Sequence, residues 1–335
     1  FHVQDASRCV SVASVLLNPK KKEEYVKSTI ERNQLIKDSF YNNQKDFKFL
    51  SLEEARKRKP KLDYNPVKIK NPGIHVIKQI QIDSLVDYID WSPFFHSWEL
   101  KGSFPSILND KENIEAQKVY NDGRRMLNQI IKLNSLNIKA VYGLFRAKAV
   151  NEDVELVDMN LKLTFPRQLV DRGSRPNLCL ADFISPNDDD YIGIFAVTAG
   201  HGLEKIVNKF ENDLDDYNSI MVKIIADRLA EAATEWLHEK VRKEFWGYSP
   251  DENFNNIDLI KEKYVGIRPA PGYPSCPDHA EKDKIWKLLK AEKNAGICLT
   301  ESRAMDPASS VCGYYFSHPD SRYFSVLKNP IENAN

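Results

Sequence analysis

Apolar and polar residues alternate through IHVIKQIQI, residues 74–82, which predicts a half-buried strand, and SLVDYID after it reads as a short helix. Residues 110–137, DKENIEAQKVYNDGRRMLNQIIKLNSLN, carry apolar positions at helical spacing, with Gly123 expected to interrupt or soften the helix. Five strand patterns follow: KAVYGLFRAKAV, DVELV, LKLTFPRQL, NLCLADFI and YIGIFAVTA. Short turns, rather than helices, join most of them, so the sheet they predict is antiparallel. Leu203 to Phe245 reads as a long helical stretch. SSVCGYYFS and SRYFSVL then close the pattern as a hairpin turning at HPD. The expected fold class is α+β: a largely antiparallel, twisted sheet with flanking helices.

Upstream of this domain the pattern changes. FHVQDASRCVSVASVLLN reads as a strand end, a turn and a short helix capped by Asp5 or Ser7, like the last βα unit of a preceding domain. PKKKEEYVKSTIERNQLIKDSFYN sets Tyr25, Ile30, Leu35 and Ile36 loosely along one side of a charged surface helix. Residues 45–73, including EARKRKPKLDYNP, are basic and lack apolar periodicity. They read either as a docking patch for an anionic partner or, the preferred reading given the prolines and low hydrophobicity, as a solvated linker. The expected division is therefore 1–18 as a domain remnant, 19–73 as a helical and basic linker, and 74–335 as one large domain.

Composition narrows the function classes. The chain has 335 residues, 42% of them hydrophobic, which suits a globular protein. Lys plus Arg and Asp plus Glu both number 48, so no basic excess argues for nucleic acid. No apolar run reaches the ~20 residues a membrane helix needs. Five scattered cysteines fit reduced thiols in the cytoplasm.

Candidate chemistry is sparse. Gly200-His201-Gly202 before a helix invites a phosphate-loop reading, but Lys205 stands where a dinucleotide fingerprint needs its third glycine, and a tight turn is preferred. Cys276 and His279 have the spacing of half a metal site with no matching second pair, and no metal is expected. Hydrolase elbows and P-loops are absent. Asp227 and Glu231 share one face of a helix beside the apolar stripe Ile225, Leu229, Ala233 and Leu237. They read either as a solvated face with Arg228 nearby or as acids facing a cationic ligand. Asp90 lies among Trp91, Phe94, Phe95 and Trp98, where burying its charge needs a positive partner. In GIRPAPGYPSCPDHAEK, Pro269, Pro271, Pro274 and Pro277 predict a stiff, extended loop that presents its backbone.

Together RPAPGYPSCPDHAEK, YIDWSPFF, TFPRQ, ADRLAEAATEWLHEKVRKEFWGY and GYYFSHPDSRYFSV strongly resemble the C-terminal activation domain of cobalamin-dependent methionine synthase, over about residues 74–327. QDASRCV resembles the final strand and turn of that enzyme's cobalamin-binding domain, and after Leu327 the chain departs from members that continue into a further helix. The resemblance implies a reductive reactivation module of a methyltransferase. Such a module binds S-adenosylmethionine and presents its methyl group to cob(I)alamin, formed when a flavodoxin-type protein reduces inert cob(II)alamin. It implies S-adenosylmethionine contacts at Asp90, Glu231, Arg268, Ala270, Gly272, Tyr273 and Tyr323, and an interdomain contact at Asp227. Cobalamin would be bound by the partner domain of the same chain, and zinc by a further N-terminal part; the Asp-x-His-x-x-Gly cobalt-ligand signature is not found here. No acid–base residue is expected, because methyl transfer from a sulfonium asks for positioning. The competing expectation is a flavodoxin-docking module with no autonomous ligand site.

Overall fold

The computed structural model describes residues 9–45, 47–109, 114–187 and 189–327. Helices α1 (Cys9–Leu17) and α2 (Pro19–Lys45) occupy the N-terminal segment and contact each other. The strand, turn and cap expected within residues 1–8 lie outside the described residues.

The domain is built on two long central strands, β2 (Asn137–Val150) and β5 (Asp190–His201), paired antiparallel along nearly their whole length. On the far edge of β2, β1 (Gly73–Ile80) pairs with one half, and β3 (Asp153–Leu156) with the other. β4 (Leu161–Thr164) extends the sheet beyond β3, and β8 (Ser310–Tyr315) extends it beyond β5. All these pairings are antiparallel. A separate two-stranded ribbon joins β6 (Cys298–Leu299) to β7 (Met305–Asp306).

Two-residue alternation sends the side chains of β2 to opposite faces. Ala140, Tyr142 and Leu144 enter one core with Phe94, Leu127, Ile225 and Leu229, whereas Val141, Phe145 and Ala147 enter a second with Phe165, Leu180, Ile285 and Leu289. Helices cover both faces, which is why β5 is buried almost throughout and reads as nearly unbroken apolar sequence. The first core is formed against α4 (Ser92–Ser97), α5 (Ile114–Leu133) and α7 (Asp216–Lys240); the second lies under α9 (Glu281–Leu289) and α10 (Ala291–Ala295). The fold is α+β with an antiparallel sheet and flanking helices. No helix among the described residues is long and apolar enough to cross a membrane.

Several local expectations are corrected. α5 runs without a break through Gly123, which is buried; a Cβ there would come within 2.7 Å of Phe94 Cζ, so the glycine serves close packing rather than a kink. NLCLADFI is not a strand: Leu180–Phe183 is a buried 3-10 turn, held because Asp182 accepts Cys179 N at 2.8 Å and pairs with buried Arg167 at 2.7 Å. The helical stretch after β5 divides into α6 (Leu203–Asn212) and α7, and ends in a π-helical turn at Val241–Phe245. Gly202 caps α6 in a tight turn. SRYFSVL forms no strand, and HPD joins no hairpin.

Residues 47–72 also differ from a solvated linker. Ser51 and Glu54 form a reciprocal cap for α3 (Leu52–Lys57), and Phe49 bridges Val170. Arg56 then pairs with Glu152 at 2.6 Å, Arg58 with Asp171 at 2.6 Å, and Val67 O accepts the Trp246 indole at 3.0 Å. Two of the charges that suggested solvation, Arg56 and Arg58, thus find partners far along the chain.

Candidate functional site

Helix α7 is capped by Asp215, whose side chain accepts Asn218 N. Its apolar positions Ile225, Leu229, Ala233 and Leu237 are all buried, as the helical pattern requires. That anchorage places Glu231, Glu235 and His238, spaced four and then three residues apart, on one face. Opposite them runs the proline-rich loop. Its first part is extended and joins the edge of β8: Ile267 bridges Phe316, and Pro269 O accepts Tyr314 N at 2.9 Å. Its second part folds back rather than staying extended. Tyr273 N donates to Ala270 O, Cys276 N to Tyr273 O, and Gly272 N to Cys276 O at 2.7 Å. Gly272 has φ +96°, and a Cβ there would come within 2.2 Å of His279 Cε1, so only glycine suits the turn.

The segment 321–327 lies across this loop. Val326 N donates to Pro274 O at 2.9 Å, and the Ser275 hydroxyl donates to Phe324 O while accepting Phe324 N. Backbone Arg268 N donates to the Tyr323 hydroxyl at 3.0 Å. Helix face, loop and crossing segment enclose a cavity of about 460 Å³. A volume of this order suits a small ligand. Two large aromatic side chains in its wall, Tyr273 and Tyr323, remain 63% and 41% exposed, so the ligand-sized space is flanked by unused aromatic faces.

Arg268 is the best-anchored charge in the wall. Its Nη1 lies 2.7 Å from Glu235 Oε2, 2.5 Å from the Tyr264 hydroxyl and 3.3 Å from His238 Nδ1. Its Nε and Nη2 donate to nothing among the described residues. Fully buried His238 stacks on Tyr315 at 5.0 Å, and burial together with Arg242 and Arg268 holds its pKa well below the ordinary range. It is therefore a neutral imidazole that accepts from Arg268 at Nδ1 and carries its proton on Nε2, 3.3 Å from the Tyr248 hydroxyl. Beneath, buried Arg242 pairs with Glu252 at 2.8 Å, lies 3.6 Å from Glu235 and covers the Tyr264 ring at 4.0 Å. One edge of the Arg268 guanidinium is thus locked to the interior while the other is free.

Glu231, also in the wall, makes no hydrogen bond or ion pair among the described residues. Burial raises its pKa; Arg228 and Arg268 oppose that rise, and Asp227 and Glu235 add to it. The cavity accordingly pairs unused guanidinium donors with an unused carboxylate.

Of the residues singled out in the sequence, Glu231, Arg268, Ala270, Tyr273 and Tyr323 line this one cavity, and Gly272 shapes the turn behind it. Asp90 is half-buried and does not line it; its carboxylate accepts Ser92 N at 2.9 Å at the start of α4. Asp227 is exposed, paired with Arg228, and also outside the wall. Sequence reasoning missed Thr234, Glu235, His238, Glu262 and Tyr264. The helical spacing from Glu231 to Glu235 and His238 was the available signal. Cys276 is buried, and among the described residues no three His, Cys, Asp or Glu side chains could together hold a metal ion.

A family model described as the activation domain of vitamin B12-dependent methionine synthase matches residues 81–334. The chain belongs to that family. The crystal structure of the MetH reactivation domain bound to AdoHcy is similar to it with a TM-score of 0.81 and 45% identity, over 84% of this chain and 90% of that one. This activation domain is accordingly part of a cobalamin-dependent methyltransferase. Its cavity is lined by residues between Phe195 and Ser325, all within the matched span, and the proline-rich loop supplies one wall of it.

Proposed function

We propose that the cavity binds S-adenosylmethionine and presents its methyl group to cobalamin held by the preceding domain of the same chain, so that the domain reactivates the oxidised methyltransferase. The observation that carries this reading is the pairing of a free Arg268 edge with an unpartnered Glu231 in one cavity. The ligand's amino-acid end has the complementary charges: a carboxylate for the guanidinium fork, and ammonium and sulfonium cations for the acid. The AdoHcy held by the related domain is the same molecule after loss of the methyl group, which supports the reading.

Ala270 and Gly272 would offer backbone to the adenosyl moiety, Tyr273 and Tyr323 would provide its flanking faces, and Glu262 stands near enough in the wall to meet a hydroxyl. Asp90 as a further ligand acid, and Asp227 as a contact with the cobalamin domain, rest on the resemblance alone. Cobalamin bound by the preceding domain would supply the metal nucleophile once a flavodoxin-type donor in the cytoplasm had provided one electron, and it would take up the methyl group. The residues of this chain hold the sulfonium in line. The carbon–sulfur bond breaks with its electron pair left on sulfur, giving a neutral thioether, and no proton moves. Positioning is therefore the whole catalytic contribution. In the methyltransferase with its cobalamin domain, S-adenosylmethionine plus a one-electron donor should restore activity after oxidation, followed by the visible spectrum of the bound cobalamin. Restoration at the same rate with S-adenosylmethionine withheld would defeat the proposal.

A pH dependence follows from Glu231. Its pKa is raised in the free domain, and a bound cation lowers it, so affinity should rise with pH as the carboxyl ionises. Binding isotherms from pH 5 to 8, spanning the region above the ordinary glutamate value of about 4.3, should show this. In Glu231→Gln the slope should vanish. The same variant should make the unliganded domain more stable at neutral pH, because a raised carboxyl pKa means that ionisation costs folding free energy.

A further inference from the structure

A second depression, of about 690 Å³, shares Tyr323, Phe324 and Ser325 with the first. Arg172, Arg175 and Arg322 line it, and none of the three forms an ion pair among the described residues. The acid in its wall is already engaged: Asp171 holds Arg58 at 2.6 Å and Lys48 at 3.6 Å, and accepts Gly173 N at 3.0 Å. Arg172 is half-buried and fixed in direction. Its Nη1 donates at 2.6 Å to Gln168 Oε1, which also accepts Leu178 N, while Gln168 Nε2 donates to Ser325 O. Burial, and then repulsion from Arg175 and Arg322, holds its pKa below the usual arginine value, a sign of how near the three cations lie. The chain as a whole is neutral, with 48 groups of each sign, so this segregation is local.

Guanidinium groups that converge without acids match the oxygens of a phosphate, which they grip by pairs of parallel hydrogen bonds. A third depression shares Arg175 and Arg322 and adds Lys59 and Lys61 to the positive field, with Asp320 as the acid in its wall and Arg58 already held by Asp171. The opposite character is present too: Phe47, 43% exposed, and Leu327 give the second depression an apolar wall. We propose that this depression is an anion site for a phosphate-bearing ligand of nucleotide size, with its phosphates on Arg172, Arg175 and Arg322 and its organic part against Phe47. The site is distinct from the S-adenosylmethionine cavity and does not depend on that assignment.

The test is calorimetric titration of ADP and, separately, inorganic pyrophosphate into the full chain at low ionic strength. Both should bind saturably, ADP more tightly, and added salt should weaken both. The exposed pair Arg175→Gln/Arg322→Gln should weaken both at least about tenfold, the loss of two charge-assisted contacts. Its S-adenosylmethionine binding should be unchanged, which separates failure of this site from failure of the first cavity or of the fold. Absence of saturable binding by either probe, or equal affinity in the double variant, would overturn the site. ADP binding no tighter than pyrophosphate would overturn the organic half of the assignment.

Discussion

Arg268→Ala should weaken S-adenosylmethionine binding by about a hundredfold or more, measured by equilibrium dialysis. The side chain has two free donors at the cavity, and each charge-assisted bond to a carboxylate contributes about 1.5–3 kcal/mol. The replacement also removes the partner of Glu235, which is 8% exposed and keeps only Arg242, 3.6 Å away. A second loss, about 1–3 kcal/mol of folding stability, is therefore expected from the poorly compensated carboxylate. Arg268→Lys distinguishes the two effects. An ammonium can still answer Glu235 and should recover much of the stability, but it cannot reproduce the fork, so affinity should remain low. Recovery of both by lysine would mean that charge alone, and not geometry, recognises the ligand.

The largest effect on stability is expected from Arg242→Met. This guanidinium is wholly buried, pairs with Glu252, whose side chain is 3% exposed, and lies against the face of Tyr264. Removing it strands a buried carboxylate and releases Tyr264, one of the groups that hold Arg268. A loss of about 3–5 kcal/mol is expected by chemical denaturation. The double replacement Arg242→Met/Glu252→Leu should regain most of it, since a matched apolar pair carries no unmet charge. The double variant should nevertheless bind S-adenosylmethionine less well than the wild type, because Glu235 and Arg268 lose the neighbour that sets their positions. Wild-type affinity in that variant would detach the lower layer of the network from the site.

How legible this was in the sequence depends on whether the deciding contact is local. β2 and β5 carry their periodicity within a few residues, so their strands and antiparallel arrangement were readable. NLCLADFI reads as a buried strand because its apolar content is right. What makes it a turn is Arg167, fifteen residues from Asp182, and the pattern of the segment itself says nothing of that partner. Arg56 and Arg58 looked solvated because Glu152 and Asp171 lie 96 and 113 residues away. SRYFSVL has strand composition, yet it binds Pro274 and Ser275 of the proline-rich loop instead of a neighbouring strand. The site was legible in part. Proline spacing and a helix bearing Glu231 marked two walls, and the family motifs marked Arg268, Ala270, Tyr273 and Tyr323. Glu235, His238 and Tyr264 escaped because their role is to orient Arg268, and that role exists only once loop and helix face each other.

The central claim is that the cavity between α7 and the proline-rich loop recognises S-adenosylmethionine by itself. Calorimetric titration of S-adenosylmethionine into this chain tests it most directly. One saturable site per chain, with an affinity that rises with pH and loses that slope in Glu231→Gln, is the predicted result. A folded chain that gives no saturable heat would contradict it.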